Sequence, residues 1–323
     1  MSRPLLKPLL VLAFVSLASV VLSVGTGSVS VTPGQVLAVI LGEGSNLQQT
    51  LVLELRLPRT LSAFATGGLL AVAGALMQVL LRNPLADPYV LGLSGGAAVG
   101  ALLAMLAGLG GFLVSGSAFA GALLSTLMVF GLAHGTGSWT PSRLLLTGVV
   151  VAAGWGAVIT LMLAISPTQR LPGMLYWLMG DVSYARTPWP GLLFLLAVCL
   201  LIVPLGRSLN VLARGPMQAA ALGVAVRPLE WIIYILASLL TATAVTMAGS
   251  IGFVGLVVPH MLRLVLGNDQ RLILPACAFA GGTLLVLADT LARIVIAPEQ
   301  LPVGVITALL GVPTFLYLLY RSR

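Results

Sequence analysis

Ten apolar runs divide this chain. They fall approximately at 9–24, 58–81, 89–108, 114–133, 143–165, 189–206, 229–248, 251–267, 271–289 and 303–320. Each is close to the roughly 20 residues with which a helix spans a bilayer. Charged residues make up only 7% of the 323 and hydrophobic residues 59%, whereas soluble domains carry roughly 25% charged residues. So little charge cannot clothe a water-facing surface, so the solvent is mostly lipid. The period-two alternation of an outer-membrane barrel strand is absent. The expectation is an all-α, polytopic membrane protein with about ten transmembrane helices in a single domain, 1–323.

Charge sets the expected orientation. With the N-terminus inside, Arg3, Lys7, Arg82, Arg143, Arg207, Arg214, Arg227, Arg263, Arg271, Arg321 and Arg323 lie inside, and Arg56, Arg59, Arg170, Arg186 and Arg293 outside. Eleven against five places both termini in the cytoplasm by the positive-inside rule. Ten spans split into two sets of five. A repeated odd-numbered set must enter from the opposite side, so an internal duplication would be an inverted 5+5 repeat. The net charge of +8 comes from basic residues scattered between spans, with no aromatic-interleaved cluster, and does not point to nucleic acid.

Several chemistries are excluded. Lys7 is the only lysine, so the chain has no phosphate-binding Gly-x-x-x-x-Gly-Lys-Ser/Thr loop, and any ATP must be bound by another subunit. His134 and His260 are far apart, and Cys199 and Cys277 sit inside apolar runs, which leaves no metal pattern. Gly92-x-Ser94-x-Gly96 matches the nucleophile-elbow string but opens a membrane helix. Its glycines read as small residues that let helices approach closely. The chain is therefore expected not to be an enzyme. Few ionisable residues lie within the spans, and those few (His260, Arg263, Asp289, Arg293) sit near span ends. That favours an externally powered transporter over an ion-coupled carrier.

Three segments lie between spans. Residues 25–57 and 166–188 fall outside, and the second includes a helix-like patch, LPGMLYWLMGD. Residues 207–228 form the largest inside loop. It reads as two short helices, around 208–213 and 216–222, separated by Arg214-Gly215-Pro216 and followed by Gly223. A structured inner loop suits the docking of a partner better than simple connection.

Several motifs then resemble the FecCD-type permeases, the membrane subunits of ABC importers for cobalamin, haem and ferric siderophores. They are Arg56-Leu-Pro-Arg59-Thr60, Gly74-Ala-Leu-Met-Gln78, Arg82-Asn-Pro-Leu-Ala-Asp-Pro88 and Leu91-Gly-Leu-Ser-Gly-Gly96. The second half adds Gly249-Ser-Ile-Gly-Phe-Val-Gly-Leu-Val-Val-Pro-His260-Met-Leu-Arg263 and the run Glu299 to Pro313. The resemblance covers nearly the whole chain. It implies a homodimer in the bacterial inner membrane, two cytoplasmic ATPase subunits that hold the ATP and magnesium, and a periplasmic binding protein. This chain itself would bind no cofactor and no metal.

The resemblance also implies site residues. Arg56, Arg59 and Arg293 match arginines that pair with glutamates of the binding protein, and local pairing, Arg56 with Glu54 or Arg293 with Asp289, is the alternative. Asn83 and Leu85 resemble one element of the cytoplasmic gate and Pro141-Ser142 the other, although Thr140-Pro141-Ser142 departs from the usual Thr-Ser pair. Both are also ordinary turn and cap chemistry. Leu212, Arg214, Met217, Leu222 and Gly223 match the coupling segment that meets the ATPase. For cargo, haem is the first expectation, ahead of a ferric siderophore and cobalamin.

Overall fold

The computed structural model describes residues 3–27, 31–134, 140–183, 185 and 187–321. Arg186 and Arg323, counted above, lie outside these. The described residues form helices and contain no strand. In chain order they are α1 (Arg3–Gly25), α2 (Pro33–Ile40), α3 (Asn46–Gln49), α4 (Leu57–Leu80), α5 (Leu93–Leu106), α6 (Gly111–His134) and α7 (Pro141–Ile165). There follow α8 (Leu171–Met179), α9 (Trp189–Ile202), α10 (Gly206–Leu212), α11 (Pro216–Ala221), α12 (Val226–Ala248), α13 (Val254–Leu266), α14 (Gln270–Ile294) and α15 (Val303–Arg321). A π-helical turn, Thr50–Arg56, joins α3 to α4. Each of the ten expected spans is a helix. Seven are long and apolar enough to cross a membrane, while α5, α13 and α15 are shorter.

The core forms around α4. α4 is almost wholly buried, whereas α7 is mostly exposed. α4 packs on α12, α13 and α14, and α12 packs on α4, α5 and α6. Numbered as spans, the second touches the seventh, eighth and ninth, and the seventh touches the second, third and fourth. Exchanging the halves maps these contacts onto one another, but not those of α4 with α9 or of α1 with α14, whose counterparts are weak or missing among the described residues. Missing side chains make these contacts possible: a methyl group on Gly74 would overlap the Gly255 carbonyl, and one on Gly67 the Gly281 carbonyl. In a bilayer, helix association depends on such close packing because lipid offers no hydrophobic drive. Gly96, from the Gly-x-Ser-x-Gly string, likewise lies against Gly121 of α6.

α5 and α13 occupy equivalent places in the two halves, with 14 and 13 residues. At 1.5 Å per residue each reaches roughly 20 Å, short of a bilayer core of roughly 30 Å. Both begin at a left-handed residue, Gly92 (φ +69°) and Phe253 (φ +70°). Glycine takes this conformation freely, whereas at Phe253 it is strained. The two irregular lead-ins meet inside the protein, where the Ile251 N–H donates to the Tyr89 hydroxyl at 3.1 Å. Pro88 lies against Gly255, beside Leu70 of α4. Irregular backbone at this depth survives because protein surrounds it.

The bundle has two ends. One carries the loop around α10 and α11, the start of α12 and the start of α14. The other carries the C-terminus of α1 and the start of α4. They are called here the loop end and the arginine end.

Candidate functional site

At the arginine end, the sequence places arginines against the charge bias, and the structure gives each described one a partner. Arg59 Nε lies 3.1 Å from both Asp289 carboxylate oxygens and its Nη2 lies 2.9 Å from one of them. Its Nη1 donates to Gln300 Oε1 at 2.6 Å. Arg293, one helical turn beyond Asp289, forms a second ion pair with it at 3.2 Å. Asp289 is fully buried and Arg293 is 8% exposed. A lone carboxylate here would be expensive, and two guanidinium groups compensate it.

The other arginine contacts go to helix ends. Arg56 Nη1 donates to the carbonyls of Val24 and Gly25 at 3.0 and 3.4 Å. Arg293 donates to the carbonyls of Ser23 and Thr26, each at 3.1 Å, and to the Ser23 hydroxyl at 2.7 Å. Four consecutive carbonyls at the C-terminus of α1 are thus met by two cations. Arg170 does the same for α5, donating to the carbonyls of Met105, at 3.0 Å, and Leu106. A helix C-terminus has carbonyls without intrahelical partners and a partial negative charge, and guanidinium satisfies both. Sequence reasoning had named Asp289 as a local partner of Arg293, and that pair exists. It missed the carbonyls, since which helix ends lie beside an arginine is not written in the chain. Arg56 retains only slight exposure at 8%, and the side chain of Arg59 is 13% exposed.

At the loop end, the side chains of the expected gate serve as turns and caps. The Asn83 carboxamide oxygen accepts from the Leu85 N–H at 2.9 Å, and Leu85 is 42% exposed. Thr140 caps α7, its hydroxyl accepting from the Arg143 N–H at 3.3 Å, with Pro141 and exposed Ser142 in the first turn. Gly148 of α7 lies against the carbonyl of Val90, in the lead-in to α5.

The coupling segment is two helices, as expected. α10 and α11 are separated at Gly215 (φ +131°), and Gly223 (φ +79°) releases the chain into α12. Met217 is 87% and Leu222 71% exposed, and Arg214 and Gly223 are also exposed. Leu212 is buried at 2% and faces the bundle. Between this segment and the bundle lies a cleft of about 550 Å³, lined by Gln78, Arg82, Asn210, Arg214, Arg263 and Gln270 among others. At its edge, Arg271 pairs with Asp269 at 2.6 Å and holds that carboxyl well below the usual range. Among the described residues, no group of three His, Cys, Asp or Glu side chains is placed to hold a metal.

Comparison with known proteins adds the following. A family model described as the FecCD transport family matches residues 14–321. An ABC transporter permease protein of Bacillus subtilis, YvrB, is 40% identical over 324 residues, covering 94% of this chain and 91% of that protein. The hemin transport system permease protein HmuU of Yersinia pestis is 38% identical, covering 98% of this chain and 97% of that one. The vitamin B12 import system permease protein BtuC of Vibrio cholerae is 41% identical over 86% of this chain and 85% of that one. A solved metal-chelate type ABC transporter in an inward-facing conformation superposes with a TM-score of 0.86 at 30% identity, covering 98% of this chain and 99% of the other.

Proposed function

The chain belongs to the FecCD transport family and is a permease of the ABC-importer class, and on that premise we propose its cargo, partners and direction of transport. The cargo is a large metal chelate carried inward, with haem as the first reading. The observation that carries it is the match to the hemin permease along 98% of this chain and 97% of that protein. Cobalamin is the second reading, supported by the 41% identity to the Vibrio cholerae vitamin B12 permease. A ferric siderophore is the third.

Two copies of the chain work with two ATPase subunits, which hold the ATP and magnesium, and with a substrate-binding protein. The chain spans the bacterial inner membrane with the loop end and both termini in the cytoplasm. The binding protein docks at the arginine end. Arg59 and Arg293 stand against one Asp289, so the pair keeps excess positive charge that attracts and orients carboxylates. Arg59, more exposed than Arg56 and Arg293, makes direct contact, and those two hold the α1 and α4 ends in place. Asn83, Leu85, Pro141 and Ser142 form the inner gate. Met217, Leu222 and Gly223 contact the ATPase, Leu212 transmits that contact to the bundle, and Arg214, at the turn between the two helices, lines the cleft behind them. Closure of the ATPase pair shifts these helices as rigid bodies and alternates access.

The test is uptake into proteoliposomes containing the chain, its ATPase subunit and its binding protein, with haem or cobalamin offered outside. ATP-dependent accumulation of haem is expected. Accumulation of cobalamin alone would replace the first reading with the second. Concentrative uptake driven by an ion gradient without ATP would overturn the assignment as an ABC permease.

A further inference from the structure

The cleft behind the coupling segment holds polar groups that internal contacts leave unused. Arg82 and Arg214 line it, and neither forms an ion pair with any described residue. Arg263 enters the same space, its guanidinium turned partly to the Gln78 side chain. The acids nearby do not neutralise these groups fully. Asp269 is committed to Arg271 at 2.6 Å and accepts from Asn210 at 2.9 Å. Glu230 lies within electrostatic reach of both Arg82 and Arg227.

A second observation is independent of charge. Gln270 is only 2% exposed, lines the cleft, and its Oε1 has no hydrogen-bond partner. A buried acceptor left empty is unfavourable. The cleft thus presents cations that need an acceptor beside an acceptor that needs a donor. Its walls are the ends of α4, α13 and α14, and the ends of membrane helices are where lipid headgroups lie. Basic pockets between helices at that depth suit anionic headgroups.

We propose that this cleft binds the phosphodiester headgroup of an anionic phospholipid, with Arg82 and Arg214 on the phosphate and Gln270 Oε1 accepting from a headgroup hydroxyl. The lipid would wedge α10 against the bundle, so that the coupling segment rests on a lipid as well as on protein. The test involves neither cargo nor ATP.

Purified full-length chain is titrated with phosphatidylglycerol, phosphatidylmethanol, phosphatidylcholine or inorganic phosphate, and followed by native mass spectrometry and thermal melting. Phosphatidylglycerol should be retained and raise the melting temperature. Phosphatidylmethanol keeps the charge but lacks the donor, and should bind more weakly. Phosphatidylcholine and free phosphate should do little. The Arg82→Gln, Arg214→Gln double variant should bind phosphatidylglycerol at least about tenfold more weakly. Unchanged binding by that variant would overturn the site, and protection by inorganic phosphate equal to that by phosphatidylglycerol would overturn its assignment to lipid. If the variant does not fold, the order of headgroups on the unaltered protein decides, and phosphatidylglycerol no better than phosphatidylmethanol or phosphatidylcholine refutes the proposal.

Discussion

At the arginine end, Arg59 and Arg293 share a buried Asp289, while Arg56 and Arg293 cover the last carbonyls of α1. At the loop end, Arg82 and Arg214 pair with no described acid, and Met217 and Leu222 project outward. The same side-chain chemistry is spent on internal cohesion at one end and left open at the other. An end whose guanidinium groups are held by buried partners behaves as a rigid cap, and the net positive charge left over is what a docking protein would meet. An end with large exposed apolar side chains and open guanidinium groups remains incomplete until something meets it.

This contrast can be broken by substitution, and the largest effect is expected at the rigid end. Asp289→Ala strands two guanidinium groups in a buried site and should destabilise the protein by about 3–5 kcal/mol. Thermal melting in detergent measures it, and a melting temperature close to that of the unaltered chain would mean that the arginine end is not held by this pair. Arg56→Gln removes a cation from the α1 carbonyls and should cost about 1–3 kcal/mol, with faster amide exchange confined to the last turn of α1. Equal exchange in the two proteins would remove the capping role.

Asp269 sharpens the comparison through pH. Arg271 depresses its carboxyl in the folded protein, below an unfolded value of about 3.9. The resulting stability is complete above about pH 4 and is lost as pH falls further. Asp269→Asn should flatten the slope of melting temperature against pH below about pH 4. An unchanged slope would show that the pair contributes nothing. The smallest stability effect belongs to the open surface. Met217→Ser with Leu222→Ser should shift stability by no more than about 0.5 kcal/mol yet reduce uptake per ATP hydrolysed. A large drop in melting temperature would show that these side chains pack inside after all.

Much of the architecture could be read from the chain. Apolar run length located ten of the helices, and Arg214-Gly215-Pro216 with Gly223 marked both helices of the inner loop. Run length does not reveal depth. The run 89–108 reads as a full span, yet its helix begins only at Leu93, after a lead-in through Gly92. The run 251–267 likewise hides the turn at Phe253. These breaks are stabilised by partners far away in sequence, such as Tyr89 with Ile251, and no local pattern announces them.

What the sequence determined alone is the solvent and a chemistry the chain lacks. A chain with this little charge must lie in lipid, and one without a suitable lysine has no phosphate-binding loop of that type. Family membership too was legible, because its motifs are contiguous. What the tertiary structure decided is the employment of each charged side chain. Whether an arginine caps a helix, pairs with Asp289 or lines an open cleft depends on which helix ends the bundle brings beside it. In a low-dielectric interior those neighbours set the energy of a charge, and the order of residues along the chain does not name them.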